Sequence, residues 1–175
     1  MTTYRAALTE AMTELAQLPS SVFLGQAIAY KGTGMTPSFA AVPRDKLIEM
    51  PVAEDLQLGV ATGLAIQGYL PISVYPRINF LLLAMSQLVL HLDALPIYGN
   101  GYRPRVIIRT AVASHLPLDP GIQHLGDYTQ VFRQMLRATE VIALTDAADI
   151  LPAYRRATTV PYSTILVEYA RLYEE

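Results

Sequence analysis

Apolar positions recur at helical spacing through YRAALTEAMTELAQL, residues 4–18, and stop at Pro19, which predicts a first helix preceded by Thr3. The pattern then changes. SVFLGQ (21–26) is a short apolar run ending near glycine and reads as a strand. Residues 31–46 are rich in Gly, Thr, Pro and Ser and read as a loop. KLIEMPV (46–52) predicts a second strand, EDLQLGVATGLAIQGY (54–69) a helix, and LPISVYP (70–76) a third strand closed by Pro76. RINFLLLAMSQLVLHLDALPIY (77–98) predicts one long apolar helix, followed by a turn-rich loop over 99–104. RVIIRTA (105–111) lacks alternation, as a strand buried on both faces does. No regular pattern runs through 113–130. The end of the chain predicts a helix over 131–139, a strand over 140–145, a helix over 146–158 with Asp146 as N-cap, and a last strand over 163–169.

Strands alternate with helices throughout, and several strands are continuous apolar runs. That pattern predicts an α/β domain of three layers, α/β/α, around a mostly parallel sheet of about six strands. Neither an internal repeat nor a linker divides the chain, so residues 1–175 are expected to form a single domain. In such sheets ligands lie beyond the carboxyl ends of the strands. The positions of interest are therefore 25–31, 51–55, 75–80, 109–127, 145–146 and 168–169.

Composition adds a partner to this picture. Hydrophobic residues make up 52% of the 175 residues and charged residues 16%, which is apolar for a soluble monomer and implies surface covered by another chain. A net charge of −2 gives no electrostatic case for nucleic acid. The absence of cysteine excludes a disulfide framework, a thiolate nucleophile and a cysteine metal site. The apolar segment starting at Ile78 is interrupted by Ser86, Gln87, His91 and Asp93, so a buried helix is expected rather than a membrane span. The N-terminus has no basic stretch followed by an apolar run, and a cytoplasmic protein is expected.

Candidate chemistry is sparse. Glu54 and Asp55 open a helix that otherwise carries no charge. A helix-start acid gains about 0.3–1 kcal/mol from the dipole, which is a sufficient structural reason for Glu54. The functional alternative is a carboxyl group at a strand end, partly buried, that holds or trades a proton. Gly59 and Gly63 lie one turn apart, and each costs about 1 kcal/mol relative to alanine. They predict close packing, inside the domain or against another chain. Asn79 and Phe80 follow the third strand, and Phe80 is either core or a flat face for an aromatic ring. His115 and His124 flank a proline-rich loop at a spacing that matches no standard zinc pattern, so no metal site is assigned. A single loop histidine as substrate contact or acid–base group is the better reading. The GTG at 32–34 lacks the rest of a phosphate-binding motif, and Ser114 beside His115 is no catalytic triad.

In order, YRAALTEAM, VFLG, MPVAEDLQLGVATGLAIQGYLPI, the NF opening an apolar helix, GIQH and TILVEY resemble the pyrimidine-binding domain of transketolase-like thiamine diphosphate enzymes. The sequence is most similar to the N-terminal domain of the 2-oxo acid dehydrogenase beta subunit, and the likeness runs from Tyr4 to Tyr169. The resemblance implies that Glu54 bonds the aminopyrimidine of thiamine diphosphate and serves its proton traffic. It further implies that Phe80, preceded by Asn79, stacks on the pyrimidine, and that His124 faces the substrate. Two departures stand out. The family's acidic G-E-[ED] pattern after the first strand reads Gly25, Gln26, Ala27 here, and Asp55 and Leu56 replace the small or amide residues expected after the glutamate.

The family holds diphosphate and Mg2+ in a separate domain with a GDG motif, which this sequence lacks; Gly126-Asp127 is followed by Tyr128. The expectation is a half-site, with a diphosphate-binding, alpha-like partner subunit carrying GDG and Mg2+, in a dimer or heterotetramer. The expected substrate is a 2-oxo acid. A split transketolase acting on ketoses, a non-catalytic scaffold that kept the fold, and an unrelated flavodoxin-like domain remain as alternatives.

Overall fold

A computed structural model describes residues 2–98, 101–116 and 119–174. Gly99 and Asn100 of the expected 99–104 loop, and Pro117 and Leu118 of the long loop, lie outside the described residues. The strands are β1 (Ser21–Gly25), β2 (Leu47–Glu49), β3 (Leu70–Tyr75), β4 (Ile107–Val112), β5 (Glu140–Ala143) and β6 (Thr164–Tyr169). They form one sheet in the order β2-β1-β3-β4-β6-β5, and every pairing is parallel. The three-layer α/β/α expectation holds. All of β3 and β4 is buried, including Ser73, Arg109 and Thr110, as their lack of alternation predicts.

Successive strand residues point to opposite faces, and the core divides accordingly. Phe23, Ile72, Val74 and Ile107 pack under α1 (Tyr4–Gln17) and α6 (Ala147–Thr159). Leu24, Tyr75, Ile108 and Ile165 pack under α2 (Glu54–Ile66), the helical segment from Ile78 to Leu92, and α5 (Thr129–Met135). The helix starts follow local chemistry. Thr3 caps α1 by accepting from Ala6 N–H at 3.2 Å, and Asp146 caps α6 by accepting from Ala148 N–H at 2.8 Å.

The expected 77–98 helix is broken. It consists of α3 (Ile78–Leu81), a 3-10 turn (Leu82–Ala84), a π-helical turn (Ser86–Leu92) and α4 (Leu95–Tyr98), bent by 62°. The bend falls at Met85, between Ala84 and Ser86, and a second interruption at Asp93 separates the π-helical turn from α4. Asp93 is buried, and its carboxylate accepts from the backbone N–H groups of Arg137 and Ala138 at 2.9 Å each. The same contact pulls residues 137–138 out of the helix expected over 131–139, which ends at Met135. Among the described residues no single helix is long and apolar enough to cross a membrane.

The glycines divide by role. Gly68 sits at φ +92° and ends α2 in a Schellman motif, with Tyr69 N–H donating to Leu64 O and Gly68 N–H to Ala65 O, each at 3.1 Å. Gly59 faces the Gln87 side chain at ordinary contact distance, whereas Gly63 faces open space. The packing expected at Gly63 is therefore not made within this chain.

A buried ion pair, unforeseen from the sequence, lies in the layer under α1 and α6. The register places Glu168 opposite Ala111, so Arg109 and Glu168 are diagonal neighbours on one face. Arg109 donates to both Glu168 oxygens, at 2.5 and 3.2 Å, and to Ser38 Oγ at 2.7 Å. Tyr154 and Tyr173 hydroxyls also donate to the Glu168 carboxylate. Both charged groups have no exposed surface. Burial disfavours the Arg109 cation, but Glu168 outweighs that and raises its pKa. Burial first, and Glu168 second, hold the Tyr154 and Tyr173 pKa values well above the ordinary phenol value. Removing one partner strands the other charge, a loss of about 3–5 kcal/mol. Glu168→Leu is expected to lower unfolding stability in urea by that amount, and Arg109→Met combined with it to recover part of the loss.

Candidate functional site

Parallel pairing brings the carboxyl ends of β1, β2, β3 and β4 to one side, and a cleft of about 820 Å³ opens there. Gln26 follows β1, Pro51 and Val52 follow β2, Pro76 and Arg77 follow β3, and Ser114 follows β4; all line the cleft, as does Phe80. The ends of β1 and β3 are close. A Cβ on Gly25 would lie 2.6 Å from Val74 O, so only glycine allows this approach.

Glu54 is the first residue of α2 and is 6% exposed. Ala53 before it supplies no side-chain cap. Gln26 Nε2 donates to Glu54 Oε1 at 3.3 Å, and among the described residues no donor reaches Oε2. Glu54 therefore stands behind the cleft wall and meets the cleft through Gln26, the residue that replaces the family's acid. Tyr75 donates to the backbone carbonyl of Glu54 at 3.3 Å. Burial, and then the Glu54 and Asp55 charges, raise the Tyr75 pKa, so the hydroxyl stays a neutral donor.

Gln57, one turn into α2, was not anticipated. It is fully buried, and its Nε2 donates to Ser73 Oγ and Val74 O, both at 3.0 Å, and reaches Leu24 O at 3.5 Å. One amide thus pins the helix that carries Glu54 to the carboxyl ends of β1 and β3. Its Oε1 has no hydrogen-bond partner. The available signal was a polar residue three positions after Glu54 on the same helical face.

The other three expected residues meet one another. The Phe80 and His124 rings are 5.4 Å apart, edge to face at 70°. His124 Nδ1 lies 3.1 Å from Asn79 Nδ2 and 3.3 Å from Asn79 Oδ1, so the pair shares one proton-bearing contact set by the tautomer. Among the described residues no hydrogen bond or ring contact joins Glu54 to this trio. His115 belongs elsewhere, its Nδ1 lying 3.1 Å from Asp119 Oδ2 with both side chains exposed. The structure thus groups Asn79, Phe80 and His124, with Phe80 lining the cleft, and sets Glu54 behind its Gln26 wall. Such an arrangement offers a flat aromatic face, a ring nitrogen and a buried carboxylate with one oxygen unengaged, which suits an aromatic heterocycle bearing exchangeable protons.

Comparison with known proteins defines the class. The model of the transketolase pyrimidine-binding domain matches residues 1–174. The chain belongs to the transketolase pyrimidine-binding domain family. Among solved structures it resembles a split-gene transketolase described as an inactive beta4 tetramer, with 22% identity and a TM-score of 0.64 over 94% of this chain and 50% of that one. It also resembles transketolase from Campylobacter jejuni (15% identity, TM-score 0.75, 93% of this chain and 25% of that one). Transketolase from Leishmania mexicana is a third (18% identity, TM-score 0.66, 93% and 24%). These likenesses establish the fold. The chain spans half the length of the first and about a quarter of the other two. No curated protein matches it at a significant level.

Gln57 provides a test of how the site is held. Gln57→Leu keeps the volume and leaves buried acceptors on β1 and β3 without a donor, a cost of about 1–3 kcal/mol. Urea unfolding is expected to show that loss, while Gln67→Leu at the exposed end of α2 shows none.

Proposed function

We propose that this chain is the pyrimidine-binding subunit of a split thiamine diphosphate-dependent enzyme that cleaves a bond beside a carbonyl, with a 2-oxo acid as substrate. The observation that carries the reading is the buried Glu54 carboxylate at a strand's carboxyl end, pinned by Gln57 and Tyr75, with one oxygen that meets no donor among the described residues. When bound, thiamine diphosphate supplies the carbanion chemistry that protein side chains cannot. Glu54 would bond its aminopyrimidine and hold the proton that activation requires. Phe80 would support the flat ring, oriented by Asn79 and His124. His124 would act toward the substrate.

The half-site reading has its own support. Val52, Leu116 and Ile122 are 81%, 74% and 89% exposed at the cleft end of the sheet, a cost in water that a docked chain would relieve. The expected occupant is a diphosphate-binding subunit with a GDG motif and Mg2+, forming a dimer or heterotetramer. Residues 1–175 would then supply the pyrimidine side of a site completed in trans. A second reading, ketol transfer between sugars, is favoured by the family match and by the split-gene transketolase among the structural relatives.

The test is reconstitution with a GDG-bearing subunit. Thiamine diphosphate and Mg2+ are expected to bind the pair in calorimetric titration. Glu54→Gln is expected to cut kcat by about 10²–10⁴-fold, the range lost with a general acid or base. Cofactor binding with unchanged turnover in Glu54→Gln would remove Glu54 from the chemistry. A pair that binds cofactor and turns over neither 2-oxo acids nor ketoses would leave the scaffold reading in its place.

A further inference from the structure

Four charged side chains line the cleft: Arg5, Glu49, Arg77 and Glu174. Three are committed to the protein itself. Arg5 and Glu174 pair at 2.7 Å. Glu49 accepts from three successive backbone N–H groups, those of Ala27, Ile28 and Ala29, at 2.5, 3.2 and 2.9 Å. That loop needs the carboxylate, because Ala27 holds φ +53° and its N–H groups converge. Arg77 alone has no ion pair and no side-chain hydrogen bond among the described residues.

Its position is nonetheless defined. Arg77 follows Pro76 at the end of β3, is half-buried, and holds extended backbone at φ −139° and ψ 143° before α3 begins. Its guanidinium lies over the Phe80 ring, 5.7 Å from the centroid. Ring and cation hold each other, so little side-chain freedom is lost when a ligand arrives. The guanidinium keeps its five N–H donors and a planar fork that matches carboxylate or phosphate oxygens two at a time.

We propose that Arg77 is a specificity-determining residue that binds the anionic group of the substrate. The shared chemistry is a carboxylate or phosphate oxyanion, supplied by the carboxylate of a 2-oxo acid or the phosphate of a sugar phosphate. The assignment to substrate rests on the cofactor reading of the cleft. The anion-binding property rests on Arg77 itself.

The two parts are tested separately. The ¹⁵N-labelled chain is titrated with inorganic phosphate and with pyruvate, following the Arg77 Nε–Hε resonance, identified by its loss in Arg77→Met. A saturating shift is expected, with calorimetric affinity falling at least tenfold in Arg77→Met and less in Arg77→Lys, which keeps charge but loses the fork. An unmoved Arg77 resonance, or equal affinity in Arg77→Met, overturns the proposal. In the reconstituted pair, Arg77→Met is expected to raise KM at least tenfold for one substrate class, a 2-oxo acid or a ketose phosphate, and far more than it lowers kcat. The class affected identifies the source of the anion. An unchanged KM for the class that is turned over overturns the substrate role. A pair that turns over neither class defeats the catalytic reading instead, and the anion titration still decides whether Arg77 is an anion site.

Discussion

Two opposite charges with no exposed surface, set in the middle of a parallel sheet, are costly to bury and must be fully satisfied where they stand. Arg109 on β4 and Glu168 on β6 meet this condition by drawing in three further elements. Ser38 comes from the loop after β1, Tyr154 from α6, and Tyr173 from the turn after β6. Phe39 covers the guanidinium at 5.0 Å from its ring centroid. The pair therefore fixes how the loop, the helix and the chain's last turn sit against the sheet. Tyr173 also lines the cleft, so one wall of the site inherits its position from an ion pair in the core.

The opposite face of the sheet is organised by a neutral group. Gln57 gives its amide N–H groups to Ser73 Oγ and Val74 O at the carboxyl end of β3, with Leu24 O of β1 at 3.5 Å, where Gly25 lets the strands come together. An amide at that point sets both the height and the rotation of α2 relative to the sheet. Glu54 lies one turn earlier on the same helix, so the placement of the proposed proton carrier follows from Gln57 and from Tyr75 at its carbonyl. The site is thus held by two buried polar anchors, one in each layer, while the apolar core between them supplies the bulk of the stability.

Much of this was legible in the sequence because the signals were local. The non-alternating run at 105–111 marked a strand buried on both faces, LPISVYP at 70–76 marked a strand closed by Pro76, and Thr3 and Asp146 marked helix starts. The resemblance pointed to Glu54, Asn79, Phe80 and His124, and the fold brings the last three into contact. What escaped depended on register between distant segments. RVIIRTA and TILVEY each carry a single interior charge of opposite sign, yet only the β4–β6 register makes them neighbours. Asp93 looked like a mere interruption of an apolar helix, because its partners at 137 and 138 are some 44 residues away. Gln26 was legible as a departure from the family pattern, but not as the residue standing between Glu54 and the cleft.

The distribution of charge and exposure around the cleft also bears on how this domain holds its site. Nearly every charge at the cleft is neutralised within the chain, by Arg5 with Glu174 and by the Glu49 carboxylate with its three N–H groups. An isolated domain can hold those groups without a partner. What is left unsatisfied is of a different kind: exposed Val52, Leu116 and Ile122, one Glu54 oxygen, and the Arg77 fork. Apolar surface tolerates water at a cost in free energy and gains most when another protein covers it. A partly buried guanidinium gains most from an anion in a space from which water has been excluded. Docking of a second chain would therefore strengthen both the Arg77 and Glu54 interactions at once. In this fold, assembly and activation would be parts of one desolvation event.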